Sequence, residues 1–184
     1  MTAQAFQADN LARPTASTRT LARYRLDVVA SDARDVIQSA GGWMFDRAMA
    51  GWDVNVLVTH GCDARPLQIL GAATLPFDSL RAGPVNQMLG VAADAFATEA
   101  CVREVVLAAL DRGAEVTLWG QRWPAELAHR VDAVQHRLSS AAQAFKAQAL
   151  AAAAIAHNAV GPIENYRSRA GWHSPLASDL APVG

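Results

Sequence analysis

The stretch from Tyr24 to Val58 reads YRLDVVASDARDVIQSAGGWMFDRAMAGWDVNVLV, and its grammar decides the fold. Tyr24 to Ala30, YRLDVVA, reads as a strand ending in a small-residue loop. From Asp32 the spacing changes to that of a helix, with Val36, Ala40, Trp43, Met44, Arg47 and Ala48 on one side. Gly51 is a helix stop, and Asp53 to Val58 is a second strand. Strand, helix, strand in this order is a βαβ unit, which places the two strands parallel in one sheet.

The same grammar returns 62 residues later. Val29, Ala30, Asp32, Ala33, Gly51 and Val54 correspond without a gap to Val91, Ala92, Asp94, Ala95, Gly113 and Val116. Met88 to Ala92 is an apolar run, Thr98 to Arg112 has helical spacing, and Glu115 to Trp119 is a strand. Pro66 to Gly71 reads as a further short strand, and residues 72–85 as a loop. The expected fold is therefore α/β, a Rossmann-like, mainly parallel sheet from two βαβ units.

Beyond Pro124 no glycine or proline occurs until Gly161-Pro162. That interval has room for about 35 helical residues, or ~50 Å at ~1.5 Å each. Leu127, Val131, Val134, Leu138, Ala141, Phe145, Gln148, Ala152 and Ile155 follow one another in steps of four and three. The spacing predicts one long alanine-rich C-terminal helix over 124–158 with a heptad seam. The competing reading is a helix that packs on its own domain and breaks near Ser139-Ser140. The expected organisation is a flexible N-terminal tail over 1–22, a domain over 23–123, the long helix, and an irregular tail over 159–184 that holds Trp172 and His173.

The 184 residues carry a formal net charge of −1 and are 52% hydrophobic, with 18% charged. Such a chain can bury a core without metal or disulfide staples. Near-neutral charge supplies no electrostatic footprint for nucleic acid. Two cysteines, Cys62 and Cys101, make no metal framework. The polar N-terminal sequence lacks the apolar core of a secretory signal, and no 18-residue apolar run exists. A cytoplasmic protein with no membrane span is expected. Arginine dominates the basic residues, Lys146 being the only lysine, which with the abundant alanine suits a GC-rich bacterial genome.

Open parallel sheets bind ligands beyond the carboxyl ends of their strands. Those positions hold Ser31, Asp32, Arg34 and Asp35, then Thr59, His60, Cys62 and Asp63, then Asp94, Thr98 and Glu99, and finally Gly120, Gln121 and Arg122. Of these, Asp32, Arg34, Asp35, His60, Asp94 and Glu99 are the ligand-binding candidates. Asp32 and Asp94 also suit helix caps, and their charge disfavours phosphate at those helix starts. No GxGxxG, Walker loop or GxSxG elbow occurs. His129 and His136 stand seven apart, which is poor zinc spacing.

Residues 28–61 resemble the opening of the PIG-L-type N-acetylglucosaminyl deacetylases. The shared layout is strand, acidic loop, Gly41-Gly42, Ala50-Gly51-Trp52-Asp53-Val54 and Val58-Thr59-His60-Gly61. It covers less than a fifth of the chain. That family carries an AHPDDE-like metal motif, where this chain reads Ala30-Ser31-Asp32-Ala33-Arg34-Asp35. The metal-binding histidine is absent and the carboxylates are displaced, so no metal site is carried over, and the sequence names no cofactor.

Two functions follow. The first is a non-enzymatic regulatory or scaffold protein, a homo-oligomer or partner-binding protein using Leu127, Val131, Val134, Leu138, Phe145 and Ile155 as its interface. The alternative is a small-molecule-binding or enzymatic Rossmann-like domain with a site at the strand C-terminal ends.

Overall fold

The computed structural model describes residues 24–80, 87–121, 123–169 and 179–183. The expected N-terminal tail, Arg122, Trp172 and His173 lie outside them. The opening grammar is realised as β1 (Arg25–Ala30), α1 (Ala33–Met49) and β2 (Asp53–Val58). Asp32 caps α1, its Oδ1 accepting from Arg34 N at 2.9 Å. Gly51 adopts φ +88°, the left-handed turn that L side chains rarely tolerate. The second unit comprises β4 (Gln87–Ala92), α3 (Ala93–Thr98), α4 (Ala100–Asp111) and β5 (Glu115–Trp119).

Between these units the chain departs from expectation. The run at Pro66 is α2 (Arg65–Ile69), with Pro66 in the first turn, where its missing N–H costs nothing. The intervening strand is instead β3 (Ala73–Leu75). The helix expected over 98–112 is α4, and a short helix not expected there, α3, precedes it, the two separated at Glu99, which is extended at φ −104°, ψ 110°.

No long C-terminal helix exists. Residues 124–158 form one 3₁₀ turn at Ala125–Leu127, then β6 (Val131–Arg137), then α5 (Ser140–Ala152). The following segment, expected to be irregular, supplies β7 (Ile163–Arg169) and β8 (Leu180–Pro182). The helical reading loses because β6 finds a partner more than 25 residues downstream: all seven of its residues pair antiparallel with β7. Odd spacing in a strand sends side chains to opposite faces. Val131 accordingly enters one core and Val134 packs against the other. The break falls at Ser139, which caps α5 by accepting from Ala142 N at 3.0 Å.

The strands form one eight-stranded sheet in the order β3-β2-β1-β4-β5-β7-β6-β8. The first four pairings are parallel and the last three antiparallel. Strand alternation feeds two cores. Leu26, Val28, Val54, Val56 and Trp119 face α1, while Val29, Leu57, Leu89, Val91, Val116 and Leu118 face Phe96, Val102 and Val106 of α3 and α4. On the first side α5 lies against α1 and α2 rather than projecting from the domain. Among the described residues no helix is long and apolar enough to cross a membrane.

The midpoint of α1 carries an unusual arrangement. Gln38 and Gly42, and Ser39 and Trp43, are two consecutive i→i+4 pairs of that helix. All four backbone groups bond buried side chains. Lys146 Nζ donates to Gln38 O at 2.6 Å, and Tyr166 Oη donates to Ser39 O at 3.1 Å. Glu164 accepts from Gly42 N at 2.9 Å and from Trp43 N at 2.8 Å. Lys146 and Tyr166 also donate to the Glu164 carboxylate, each at 2.6 Å. Burial of Tyr166, with Glu164 as its neighbour, pushes the phenol well above its ordinary range.

Glycine at 41 and 42 admits this close approach. A Cβ on Gly42 would overlap Leu138 and come within 3.1 Å of Glu164 Oε1, and one on Gly41 would lie 3.2 Å from Leu70. Removing one partner of a buried ion pair typically costs about 3–5 kcal/mol, and overpacking about 1–3 kcal/mol. Urea unfolding should therefore show Glu164→Ala destabilised by about 3–5 kcal/mol. Gly42→Ala should lose about 1–3 kcal/mol. A Glu164→Ala protein within about 1 kcal/mol of the parent would refute a structural role for the carboxylate.

Candidate functional site

The chain runs outward from β1 to β2 to β3, then crosses to the other side of β1 and continues through β4 to β5. The order reverses between β1 and β4, the topological position at which open parallel sheets bind ligands beyond the carboxyl ends of their strands. Residues 31–35, 59–63, 93–94 and 119–120 surround it by topology.

The ends of β1 and β2 are joined by local hydrogen bonds. Thr59 Oγ1 donates to Ser31 O at 3.2 Å. His60 Nδ1 lies 3.2 Å from Ser31 O and 2.9 Å from Thr59 Oγ1. His60 and Asp32 are exposed, and Ser31 and Thr59 are half-buried. Asp63 Oδ1 accepts from Arg65 N at 2.9 Å, at the start of α2. Desolvation, with Asp63 and then Asp32 adding their charge, pushes the Cys62 thiol up. Those charges put Cys62 beside the two carboxylates, in surroundings opposite to those that activate a thiolate.

Across these strand ends, Asp35 bridges α1 and β5. Its Oδ2 accepts from Trp119 Nε1 at 2.8 Å and its Oδ1 from Ser39 Oγ at 3.0 Å. Gly120, at φ +118°, brings the chain close to the start of α3, where a Cβ would lie 3.1 Å from Ala93 Cβ.

The sequence candidates therefore separate. Asp32 and His60 lie at adjoining strand ends. Asp94 is exposed in the first turn of α3, and it does not cap that helix: the cap position is Ala92, without a side-chain bond. Asp35 is engaged by the indole. Arg34 turns away and caps α5, donating to Ala153 O at 3.0 Å and Ala154 O at 3.4 Å. Glu99 stands at the α3–α4 junction, a helix length from the strand end.

The proposed interface dissolves. Leu127, Val131, Leu138 and Ile155 are buried in the domain's own two cores, and Val134 is half-buried. Phe145 is 45% exposed and stacks on Phe45 at 4.6 Å between ring centroids. Sequence reasoning missed the Trp119–Asp35 bond, whose partners stand 84 residues apart. It also missed the Lys146–Glu164–Tyr166 cluster; its one signal was the glycine pair inside a helix.

Among the described residues no group of three or more His, Cys, Asp or Glu side chains could hold a metal ion. At the strand ends Asp32 and Asp63 accept from backbone N–H groups, Asp35 serves Trp119, and His60 has Nδ1 turned to the backbone. These residues do not fit the metal centre that the deacetylase resemblance implies.

No protein-family model matches this sequence, and no curated protein does. Solved structures do. A deacetylase–teicoplanin complex from the teicoplanin biosynthesis pathway matches with a TM-score of 0.53 at 12% identity, over 80% of this chain and 99% of that one. An A40926 pseudoaglycone deacetylase matches at 0.51 and 15%, over 80% and 97%. A zinc-inhibited form of teicoplanin deacetylase matches at 0.50 and 13%, over 80% and 99%. At these identities the likeness is one of fold.

The shared fold and the missing helix together overturn the scaffold reading. The feature that was to mediate association is part of a sheet and core built like those of enzymes.

The thiol environment is testable. A raised pKa means less thiolate at neutral pH. Peptide-resolved iodoacetamide labelling at pH 7 should modify Cys62 more slowly than glutathione, despite its exposure. Asp63→Asn should accelerate it. Labelling of Cys62 faster than glutathione would contradict the electrostatic account.

Proposed function

We propose that this chain is a small-molecule-binding domain of enzyme type, with its site at the C-terminal ends of β1 and β4. The observation that carries the reading is the reversal of strand order there, flanked by exposed Asp32, His60 and Asp94. Fold likeness to deacetylases supports a domain of enzyme type, while the chemistry has to be argued from the site itself.

The charge of these strand ends selects the ligand. Asp32, Asp63 and Asp94 contribute carboxylates, while the nearby guanidinium of Arg34 is spent on α5. Such a site repels phosphates and free carboxylates. It favours a polyhydroxylated ligand with an amino group, of the amino-sugar class. Hydroxyls would meet Ser31, Thr59 and His60, and the ammonium would meet a carboxylate. No metal-dependent step is derived, because the donor set does not fit one.

Glucosamine, N-acetylglucosamine and glucose are the probes. Glucosamine should raise the melting temperature and glucose should do so less. Asp94→Asn, which removes no helix cap, should weaken glucosamine binding about tenfold, the loss of one charge-assisted bond. Its own melting temperature should match the parent's. Binding that is unchanged in Asp94→Asn and in His60→Ala, or absent with every probe, would overturn the assignment.

A further inference from the structure

Strand alternation sorts the charge of the antiparallel half onto opposite faces. Residues paired across antiparallel strands point to the same side of the sheet. Val134 with Tyr166 and His136 with Glu164 point towards α1, to which His136, Tyr166 and Glu164 all bond. The alternate pairs point the other way: Val131 with Arg169, Ala133 with Arg167, Gln135 with Asn165 and Arg137 with Ile163. β8 adds Ala181, the partner of Gln135, to that face. It is the side on which Leu118, the β5 neighbour of Arg167, enters the second core.

On that side α3 and α4 pack on β1, β4 and β5 and have no comparable packing on β6 or β7. Ala133, Arg137 and Asn165 are accordingly exposed, and Gln135, Arg167 and Arg169 are half-buried. Three guanidiniums thus share a strand face that carries no carboxylate among the described residues. Elsewhere Arg25, Arg47, Arg103 and Arg130 each meet a carboxylate. Arg169 Nη1 donates to a carbonyl instead, Gly113 O at 3.1 Å. Arg167 is held over the Trp123 ring with its Cζ 5.0 Å from the centroid, a contact that orients the cation without neutralising it. At ~3.3 Å per residue, Arg169 stands ~7 Å from Arg167 along β7, and Arg137, opposite Ile163, ~13 Å beyond. The formal net charge of −1 conceals this row because the acids lie on other surfaces.

We propose that this open face binds single-stranded nucleic acid, with phosphates along the arginine row and bases against the Gln135–Asn165 pair and Trp123. Charge complementarity selects a polyanion, and a row about 20 Å long suits charge repeated along a chain rather than one phosphate. Guanidinium forks match phosphate oxygens. Between the cations lie two amides side by side, each offering donors and an acceptor. Unpaired base edges can meet both, whereas a sulfated polysaccharide presents no such edge. A duplex keeps its edges inside grooves that a flat sheet face does not enter, while single strands lay their bases on sheets. β5 separates this face from the strand ends of β1 and β4, so the inference does not depend on the small-molecule site.

Fluorescence anisotropy of a labelled oligouridylate of about 12 nucleotides, titrated with the full chain, reads the face. At low salt the oligonucleotide should bind. The logarithm of the association constant should fall against that of salt with a slope of about −2, three phosphates at ~0.7 each. Arg137→Ala should reduce the slope by about 0.7. Asn165→Ala should weaken binding with the slope unchanged. Ala133→Glu, which sets a carboxylate opposite Arg167, should abolish binding with an unaltered circular dichroism spectrum, and it serves if Arg137→Ala fails to fold. Absence of binding at low salt, full binding by folded Ala133→Glu, or a salt slope untouched in Arg137→Ala would each sink the proposal. So would a heparin fragment or a duplex of equal length that binds more tightly than the single strand.

Discussion

A carboxylate bonded to the midpoint of a helix is the interaction on which this architecture turns. Glu164 accepts two consecutive α1 amides, and Lys146 and Tyr166 take the two matching carbonyls. α1 is continuous over Ala33–Met49, so these side chains bond backbone groups at its midpoint rather than at a frayed end. Here the partners come from α5 and β7, so α1 is joined to both of those later elements by hydrogen bonds rather than by apolar contact alone. The three side chains have no comparable use without Gly41 and Gly42, and the glycine pair would only weaken the helix without them.

That junction explains how a parallel sheet acquires its antiparallel half. β7 pairs with β5 on one side and with β6 on the other. Glu164, Tyr166 and Ser168 alternate inward along it, and all three are buried. The first two address α1 and Ser168 donates to Val116 O at 3.3 Å. Polar side chains on an inward strand face are tolerated because each meets a fixed backbone or charged partner. The same contacts place α5 against α1, and its C-terminal carbonyls then receive Arg34. One candidate ligand-binding side chain is thereby converted into a cap.

The first half of the fold is legible in the sequence because its signals are local. Asp32 as a cap, Gly51 as a stop and the switch from period two to period 3.6 all act within a few residues. The second half is not. Val131, Val134 and Leu138 satisfy a heptad as well as a strand followed by a turn, and alanine-rich α5 extends the false period. What selects the strand is β7, whose own sequence, IENYRSR, offers only two apolar or aromatic residues. Its stabilising partners are distant in sequence, and no window-based periodicity contains them. The site divides along the same line. The strand-end positions follow from topology, so Asp32, His60 and Asp94 were reachable, whereas the commitments of Arg34 and Asp35 depend on residues 119 and 84 positions away.

The clamp also sets the mechanical relation between the two ends of α1. The N-terminal half presents Asp32 and Asp35 to the strand ends; the C-terminal half presents Asp46 and Arg47 to the sheet edge. A continuous helix transmits axial displacement from end to end through its hydrogen-bond ladder. Where both partners of two successive pairs are held by side chains from the sheet and from α5, that displacement is passed to the surrounding core instead. Interiors packed at crystal-like density yield little. Each half of α1 is therefore anchored at the clamp. One helix can serve two polar clusters because Gly41 and Gly42 let β7 and α5 grip it between them.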